Sequence, residues 1–504
     1  MEPARLYRLF SSPDLEDLNP AESCDPFHIT RRPKLDAKKQ AIRDHFDAYA
    51  GRRAYWEQKA GAYYEDQARY YKFLIPEGLR VLEIGSGLGN LLAAVKPFRG
   101  VGIDLSPEMV KEATRRHPTL EFRAGDAETL DLDENFDVII LADVVGHLLD
   151  VEAALKRLRH ACTPQTRIIV SYYNYLWEPI LRLSEKMGLK MPQPEQSWLS
   201  PTDIANLLYL SDFDVVKVER RLLLPKRIPV FSAFFNNVVA HLPGLRALCL
   251  SHYVVARPRM RRPERPYSTT IVVPCRNERG NIDAALRRIP RFGGRQEIIF
   301  VDGDSSDGTP EEIRRVMGFY PGKNIKLLVQ DGKGKGDAVR KGFEEATGDV
   351  LMILDADLTV PPESLPKFYE AIASGKGEFI NGCRLVYPME AQAMRLLNLM
   401  GNKFFGLAFS WLLNQRIKDT LCGTKVLFRR DYERLAANRQ YFGEFDPFGD
   451  FDLLFGASKL NLHILEIPVR YHARSYGSTN IQRFAHGWLL LKMTVYGFFR
   501  LKAV

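Results

Sequence analysis

Val81-Leu-Glu-Ile-Gly-Ser-Gly-Leu-Gly-Asn90 sets three glycines, at 85, 87 and 89, directly behind an apolar run. An apolar strand that turns through glycines lets the backbone approach a ligand beside a helix N-terminus. Working outward, Arg80–Ile84, Gly100–Ile103, Val138–Leu141 and Arg167–Ser171 read as strands separated by helix-length amphipathic segments. That alternation predicts a parallel sheet in an α/β domain. A dinucleotide fingerprint would place its third glycine at position 90, which is Asn90, so a nicotinamide cofactor loses ground. Asp104 ends the second strand, 19 residues beyond Gly85, where a carboxylate can accept two ribose hydroxyls. Asp126, in Ala-Gly-Asp-Ala, follows the third strand. It reads either as a partner for an adenine amino group or as a turn or helix cap.

The same pattern restarts in the second half. Thr269–Val273, Glu297–Val301, Lys326–Val329 and Val350–Leu354 read as strands, with Asn281–Arg288, Pro310–Met317 and Asp337–Ala346 as the helices between them. Four polar features fall at strand ends: Pro-Cys-Arg-Asn-Glu278, Val-Asp-Gly-Asp-Ser-Ser-Asp307, the lysine-glycine turn Asp331–Asp337, and Leu-Asp-Ala-Asp357. Ligands bind at strand ends in open α/β sheets. Two aspartates converging there, Asp355 and Asp357, need a cation to neutralise them, and a hard divalent ion bridging a diphosphate fits.

The remaining sequence sets bounds. The 504 residues suit two or three domains, and 45% hydrophobic with 26% charged residues excludes a wholly disordered or fibrous chain. The net charge of +9 suits an anionic partner without naming one. Six scattered cysteines form no Cys-x-x-Cys pair, which points away from zinc and disulfide frameworks and towards a reducing cytosol. Residues 1–40 read as a mobile lead-in with no secretory signal, 41–257 as one domain, 258–267 as an Arg/Pro-rich linker, 268–480 as the second domain and 481–504 as an amphipathic helix. In that helix Phe484, Trp488, Leu491, Val495 and Phe498–Phe499 recur at helical spacing among Lys492 and Arg500. The segment reads either as a membrane-surface helix or as core.

Glu83, Gly85, Gly87, Gly89, Asp104 and Asp126 in this order resemble class I S-adenosylmethionine-dependent methyltransferases over residues 41–257. The resemblance implies a Rossmann-like seven-stranded sheet with S-adenosyl-L-methionine over the strand ends. It leaves the acceptor to the tyrosine-rich segment 41–72 and to residues 172–200. His147 then reads as a general base or as a packing histidine. The second half resembles family 2 glycosyltransferases of the GT-A fold, and within them the dolichol-phosphate mannosyltransferase type. This implies a nucleotide-sugar donor met by Pro274, Asn277, Glu278, Asp302 and Lys335. It also implies Mg or Mn held by Asp355 and Asp357, and inverting displacement at the anomeric carbon. Arg384 and Arg474 are implied at an acceptor or phosphate, the acceptor being a polyprenyl phosphate. Thr359 and Asn480 depart from that type, which often has glutamine and lysine there. Asp450 and Asp452 keep a sugar-hydroxyl acceptor open, as general bases or as structural caps. The fused chain is thus expected to be bifunctional and peripheral on the cytoplasmic membrane face. A binding-only first half is the alternative. Nucleic acid is not expected, because no Asn-Pro-Pro-Tyr-type base-flipping motif occurs.

Overall fold

The computed structural model describes residues 36–260, 265–387, 396–441, 449–474, 476 and 483–503, with side chains omitted at 396–399, 450 and 483–486. All but the last five residues of the expected lead-in lie outside that set, and a helix begins at Ala37, capped by the Asp36 carboxylate.

The first sheet has seven strands: β1 Arg80–Ile84, β2 Arg99–Asp104, β3 Glu121–Ala124, β4 Phe136–Ala142, β5 Cys162–Tyr173, β6 Phe213–Arg221 and β7 Ser251–Pro258. Their order is β3-β2-β1-β4-β5-β7-β6, with β7 antiparallel to both neighbours and the first five parallel. The inner strands carry runs such as Val138-Ile-Ile-Leu141 because helices cover both faces. The order reverses between β1 and β4, and the crevice at that switch point is where a ligand sits in such sheets.

The second sheet comprises β8 Thr269–Cys275, β9 Gln296–Asp302, β10 Asn324–Val329, β11 Val350–Ile353, β12 Phe379–Cys383, β13 Lys425–Phe428 and β14 Ile464–Pro468, in the order β10-β9-β8-β11-β13-β12-β14. β13 runs antiparallel to β11 and β12, and the switch point lies between β8 and β11. Both sheets have the α/β architecture the sequence predicts.

The two halves share one interior. A single hydrophobic cluster runs from Tyr70 and Tyr253 to Phe409, Phe455 and Met493. Arg167 on β5 reaches Glu378 through two bonds of 2.8 and 2.9 Å, both residues buried, and donates Nε to the Asn461 carbonyl. A buried pair of this kind is costly to break from one side, by about 3–5 kcal/mol. The expected linker, 258–267, overlaps the end of β7 at Pro258. β7 continues through Pro258, and Arg257 is wholly buried, donating to the Gly375 carbonyl at 2.5 Å. Residues 261–264 of that stretch lie outside the described set. An arginine run reads as solvated only until its acceptors are known: Arg257 finds one in the other domain, and Arg259 pairs with Asp212 and Asp214 of the first.

The C-terminal segment is also less detached than expected. The helix Arg483–Leu501 packs on the helix Leu396–Leu413, with Leu490, Met493 and Leu501 buried. Phe498, one of the residues that read as either surface or core, stacks on Trp411 at 5.6 Å. Lys502 is buried and donates to Glu219 and Asn414, each at 2.7 Å. The outer face of the helix still shows Trp488, Val495 and Phe499, each more than half exposed. No helix among the described residues is long and apolar enough to cross a membrane.

Candidate functional sites

At the first switch point the ends of β1, β2 and β4 open into a cavity of about 530 Å³. Gly85 and Gly87 take left-handed backbone there, with φ of 71° and 50°. Asp104 organises the turn, accepting from the Gly87 and Ser106 amides at 2.8 and 2.9 Å. Burial raises its pKa, against the pull of those two amides. Asp126 also lines the cavity but already accepts from Lys39, at 2.5 Å, and from the Glu128 amide at 3.0 Å. Lys39 lies on the helix Ala37–Tyr49, which therefore closes over this end.

Two expected site residues lie elsewhere. Glu83 does not line the cavity. It is buried, its carboxylate accepts from the Leu92 amide at 3.1 Å, and burial raises its pKa well above the ordinary value. Gly89 is also absent from the lining. Its φ is 73°, and a Cβ there would fall 2.4 Å from the Phe122 ring, so this glycine serves packing at the helix start.

The cavity also draws on the tyrosine-rich helices and residues 172–200. Trp56, Tyr63, Tyr64, Tyr173, Trp177 and Met191 form its walls. His147 reaches it, but burial, with help from the charges of Lys190 and Arg53, lowers its pKa to about 4, so the ring is neutral at pH 7. Sequence reading missed Asp143. It follows β4, lines the cavity and holds a left-handed φ of 57°. Its Oδ2 accepts from the Tyr63 hydroxyl at 2.7 Å and from Gln67 at 3.0 Å, while its buried Oδ1 has no partner. Its position one residue past an apolar strand, Val138-Ile-Ile-Leu-Ala142, is the signal that could have singled it out.

At the second switch point Pro274 lies inside β8 and Asn277 turns out of it with φ 56°. The Asn277 amide bonds Ser305 Oγ at 2.9 Å, and its side-chain oxygen accepts from the Ser306 amide at 2.8 Å. Asp302, opposite Cys275 in the ladder, keeps one buried carboxylate oxygen without a partner. Lys335 pairs with Asp355 at 2.5 Å, and Arg474 bridges Asp357 at 2.6 Å and Glu278 at 3.1 Å. Burial works to raise the Asp355 pKa, but Lys335, backed by the charges of Lys425 and Arg384, brings it below the ordinary carboxylate value. Gly423 packs directly on this pair: a Cβ there would lie 2.0 Å from Asp355 Oδ2. Sequence reading gave no role to Gly423.

The strand-end oxygens of Asp355 and Asp357 suit a hard divalent ion. Among the described residues no group of three or more metal-binding side chains occurs. Mg²⁺ is commonly held by one or two carboxylates with phosphate oxygens and water completing its shell, which this pair can support.

The other expected positions are not gathered here. Arg384 is engaged: its guanidinium forms bonds of 2.7 and 2.8 Å with Asp419, both residues largely buried. It contributes charge near Asp355 rather than an open fork for a phosphate. Asp452 accepts from Arg439 at 3.0 Å and borders a small hollow with Leu435, Asn438 and Lys459, none of them a strand-end residue of the donor site. The side chain of Asp450, and residues 477–480 of the Arg…Gly…Thr-Asn stretch, lie outside the described set.

Both candidate sites thus lie at the strand ends of open α/β sheets, in one chain. Comparison with known proteins matches residues 270–435 to glycosyl transferase family 2 and residues 55–218 to a methyltransferase domain. A dolichyl-phosphate hexose transferase of Haloferax volcanii is 31% identical over 226 residues, covering 45% of this chain and 91% of the relative. The chain belongs to glycosyl transferase family 2, with a methyltransferase domain ahead of it. A dolichol-phosphate mannosyltransferase of Pyrococcus furiosus is 42% identical over 108 residues, 21% of this chain, and the match spans only 30% of that relative's length. Among solved structures, a possible histamine N-methyltransferase of Thermotoga maritima aligns at 18% identity and TM-score 0.34, over 43% of this chain and 99% of its own.

Proposed function

We propose that the chain transfers a hexosyl group from a nucleotide sugar to a polyprenyl phosphate at a membrane surface. In the same glycolipid pathway its first domain transfers a methyl group from S-adenosylmethionine. The observation that carries the first half is the strand-end pair Asp355 and Asp357, each facing a cation, Lys335 and Arg474. A nucleotide diphosphate at this strand end would offer phosphate oxygens to Lys335 and Arg474, and Asp355 and Asp357 would be the residues to hold Mg²⁺ or Mn²⁺. A bound ion would supply Lewis-acid neutralisation of the leaving diphosphate. The free oxygen of Asp302 is available to a base or ribose donor, beside Pro274 and Asn277. The acceptor phosphate oxygen attacks the anomeric carbon as the bond to the diphosphate breaks, with inversion. An anionic acceptor needs no general base, and the engagement of Asp452 by Arg439 supports this over a sugar-hydroxyl acceptor.

In the first domain, left-handed glycines and the Asp104 turn support S-adenosylmethionine binding. The exposed Trp488, Val495 and Phe499, with Lys492 and Arg500 on the same helix, support peripheral contact with a membrane face reached by nucleotide sugars. The test is a screen of nucleotide sugars, labelled in the sugar, against the whole chain with polyprenyl phosphate in vesicles. Label should enter the organic phase with one donor class and require a divalent cation. Label appearing on a soluble glycan and never on lipid would overturn the reading.

A further inference from the structure

The cavity of the methyltransferase domain extends well past the glycine turn, and its far end has the character of a substrate site. Ile180 and Leu189 line the cavity and are also about half exposed, at 52% and 50%, so its wall continues into the outer surface. Pro225 and Lys226 form another part of the rim, followed in the chain by the exposed Ile228, Val230 and Phe231. A second segment, residues 241–248, links the cavity wall to the other domain. Trp177 donates to the Leu248 carbonyl at 2.8 Å, and Trp411 of the transferase half donates to the His241 carbonyl at 2.7 Å. The helices that carry Trp411 and Phe499 therefore contact His241, in the segment whose Leu248 meets the cavity-lining Trp177.

The charge inside is uneven. At the glycine-turn end Lys39 offsets Asp126 and Glu128. Towards Asp143, Arg53 and Lys190 line the wall but are offset by Glu57 and Glu185, at 3.1 and 2.6 Å, so the excess positive charge there is that of Lys59 and Lys226. Lys59 and Lys226 form no ion pair with a carboxylate among the described residues; Lys59 donates instead to the Gly188 carbonyl. An ammonium acceptor would be repelled there, whereas an anionic one is favoured. An apolar portal leading to a basic pocket suits a molecule with a long chain, a phosphate and a polar head.

We infer that the methyl acceptor is a sugar hydroxyl of a polyprenyl-phosphate-linked sugar, which enters through the apolar rim, and that Asp143 takes its proton. The step balances. The hydroxyl oxygen bonds to the methyl carbon, the carbon–sulfur bond breaks with its electrons staying on the neutral thioether, and the proton passes to Asp143 Oδ1. Tyr63 and Gln67 hold Oδ2 and so orient the carboxylate. Burial raises the pKa of Asp143, which makes it a stronger base than an ordinary aspartate, while His147 is a weaker one than an ordinary histidine. The acceptor is then the product of the chain's own sugar transfer. This rests on the proposed function above.

The test uses the full chain with polyprenyl phosphate vesicles, the nucleotide sugar that supports transfer, and S-adenosylmethionine labelled in the methyl group. Label should enter the glycolipid only when the nucleotide sugar is present, and free hexose 1-phosphate should be at least ~10-fold poorer. Asp143→Asn, which keeps the left-handed backbone and an oxygen for Tyr63, should lower methylation ~100-fold or more with methyl-donor affinity within twofold by calorimetry. Absence of sugar transfer or of methyl-donor binding would overturn the underlying reading, and this inference with it. If both are intact, an unlabelled glycolipid, equal use of hexose 1-phosphate, or an Asp143→Asn rate within threefold of the parent would overturn this inference alone.

Discussion

The two strand-end sites solve the problem of a buried carboxylate in opposite ways. In the first domain Asp104 and Asp143 are held by neutral donors: backbone amides, a tyrosine hydroxyl and a glutamine amide. Burial then prevails, and both pKa values rise. In the second domain Asp355 and Asp357 face Lys335 and Arg474, and the pKa of Asp355 falls. Neutral donors leave a carboxylate able to pick up a proton. Cationic partners keep it charged and ready to exchange one counter-ion for another. The difference in partners matches the difference in the proposed chemistry, proton removal in one site and phosphate handling in the other.

The comparison can be broken most decisively at the second site. Asp357→Asn should reduce sugar transfer by roughly 10³-fold, about 4 kcal/mol of transition-state stabilisation, with methyl-donor affinity unchanged by calorimetry. Retained sugar transfer would mean that the carboxylate–cation pairing serves the fold alone. Next in size is Gly87→Val. A Cβ at this position meets no protein atom within 4 Å, yet φ is 50° and the residue lines the cavity. A β-branched side chain there should weaken S-adenosylmethionine binding by roughly 10–100-fold through strain and occlusion, while sugar transfer stays at the parental level.

A third experiment sharpens the contrast without a mutation. Asp143 must be deprotonated to accept a proton, and its pKa is raised; Asp355 must be charged, and its pKa is lowered. As pH falls, methyl transfer should therefore decline first and sugar transfer later, in one preparation assayed for both. Coincident acid limbs would remove the contrast. The smallest effect is expected on the outer face of the last helix. Replacing Trp488 and Val495 together by glutamate should reduce vesicle binding roughly tenfold, since apolar burial contributes ~25 cal/mol per Å². Flotation of the doubly substituted protein at the parental level would exclude that face as the contact.

Both sheets were legible in the sequence because their strands are apolar runs closed by glycine or aspartate, as at Ile84-Gly85 and Leu354-Asp355. The turns after β1 and β8 were legible for the same reason, since short-range patterns carry them; that Asp104 and Asn277 would hold turn bonds was not. What could not be read were partnerships made across the fold. Arg257 in an Arg/Pro stretch reads as solvated, yet it bonds a carbonyl 118 residues away. Arg384 resembles a phosphate ligand until Asp419 is seen beside it. Glu83 sits in a ligand-binding motif, but its neighbour is the Leu92 amide. Asp143 had no motif to announce it, and its significance comes from Tyr63 and Gln67, 80 and 76 residues earlier in the chain.

The joint between the halves has a kinetic consequence. Arg167 with Glu378, Arg257 with Gly375, and Lys502 with Glu219 tie one domain to the other through buried bonds. A hinge that carried one site towards the other would have to break them, at several kcal/mol for the charged pairs. On the proposed function, a glycolipid made in one half would therefore reach the other by diffusing laterally in the bilayer. Methylation should then obey surface-dilution kinetics, slowing as inert phospholipid is added at fixed bulk concentration of acceptor, whereas a hand-over within the protein would be indifferent to it.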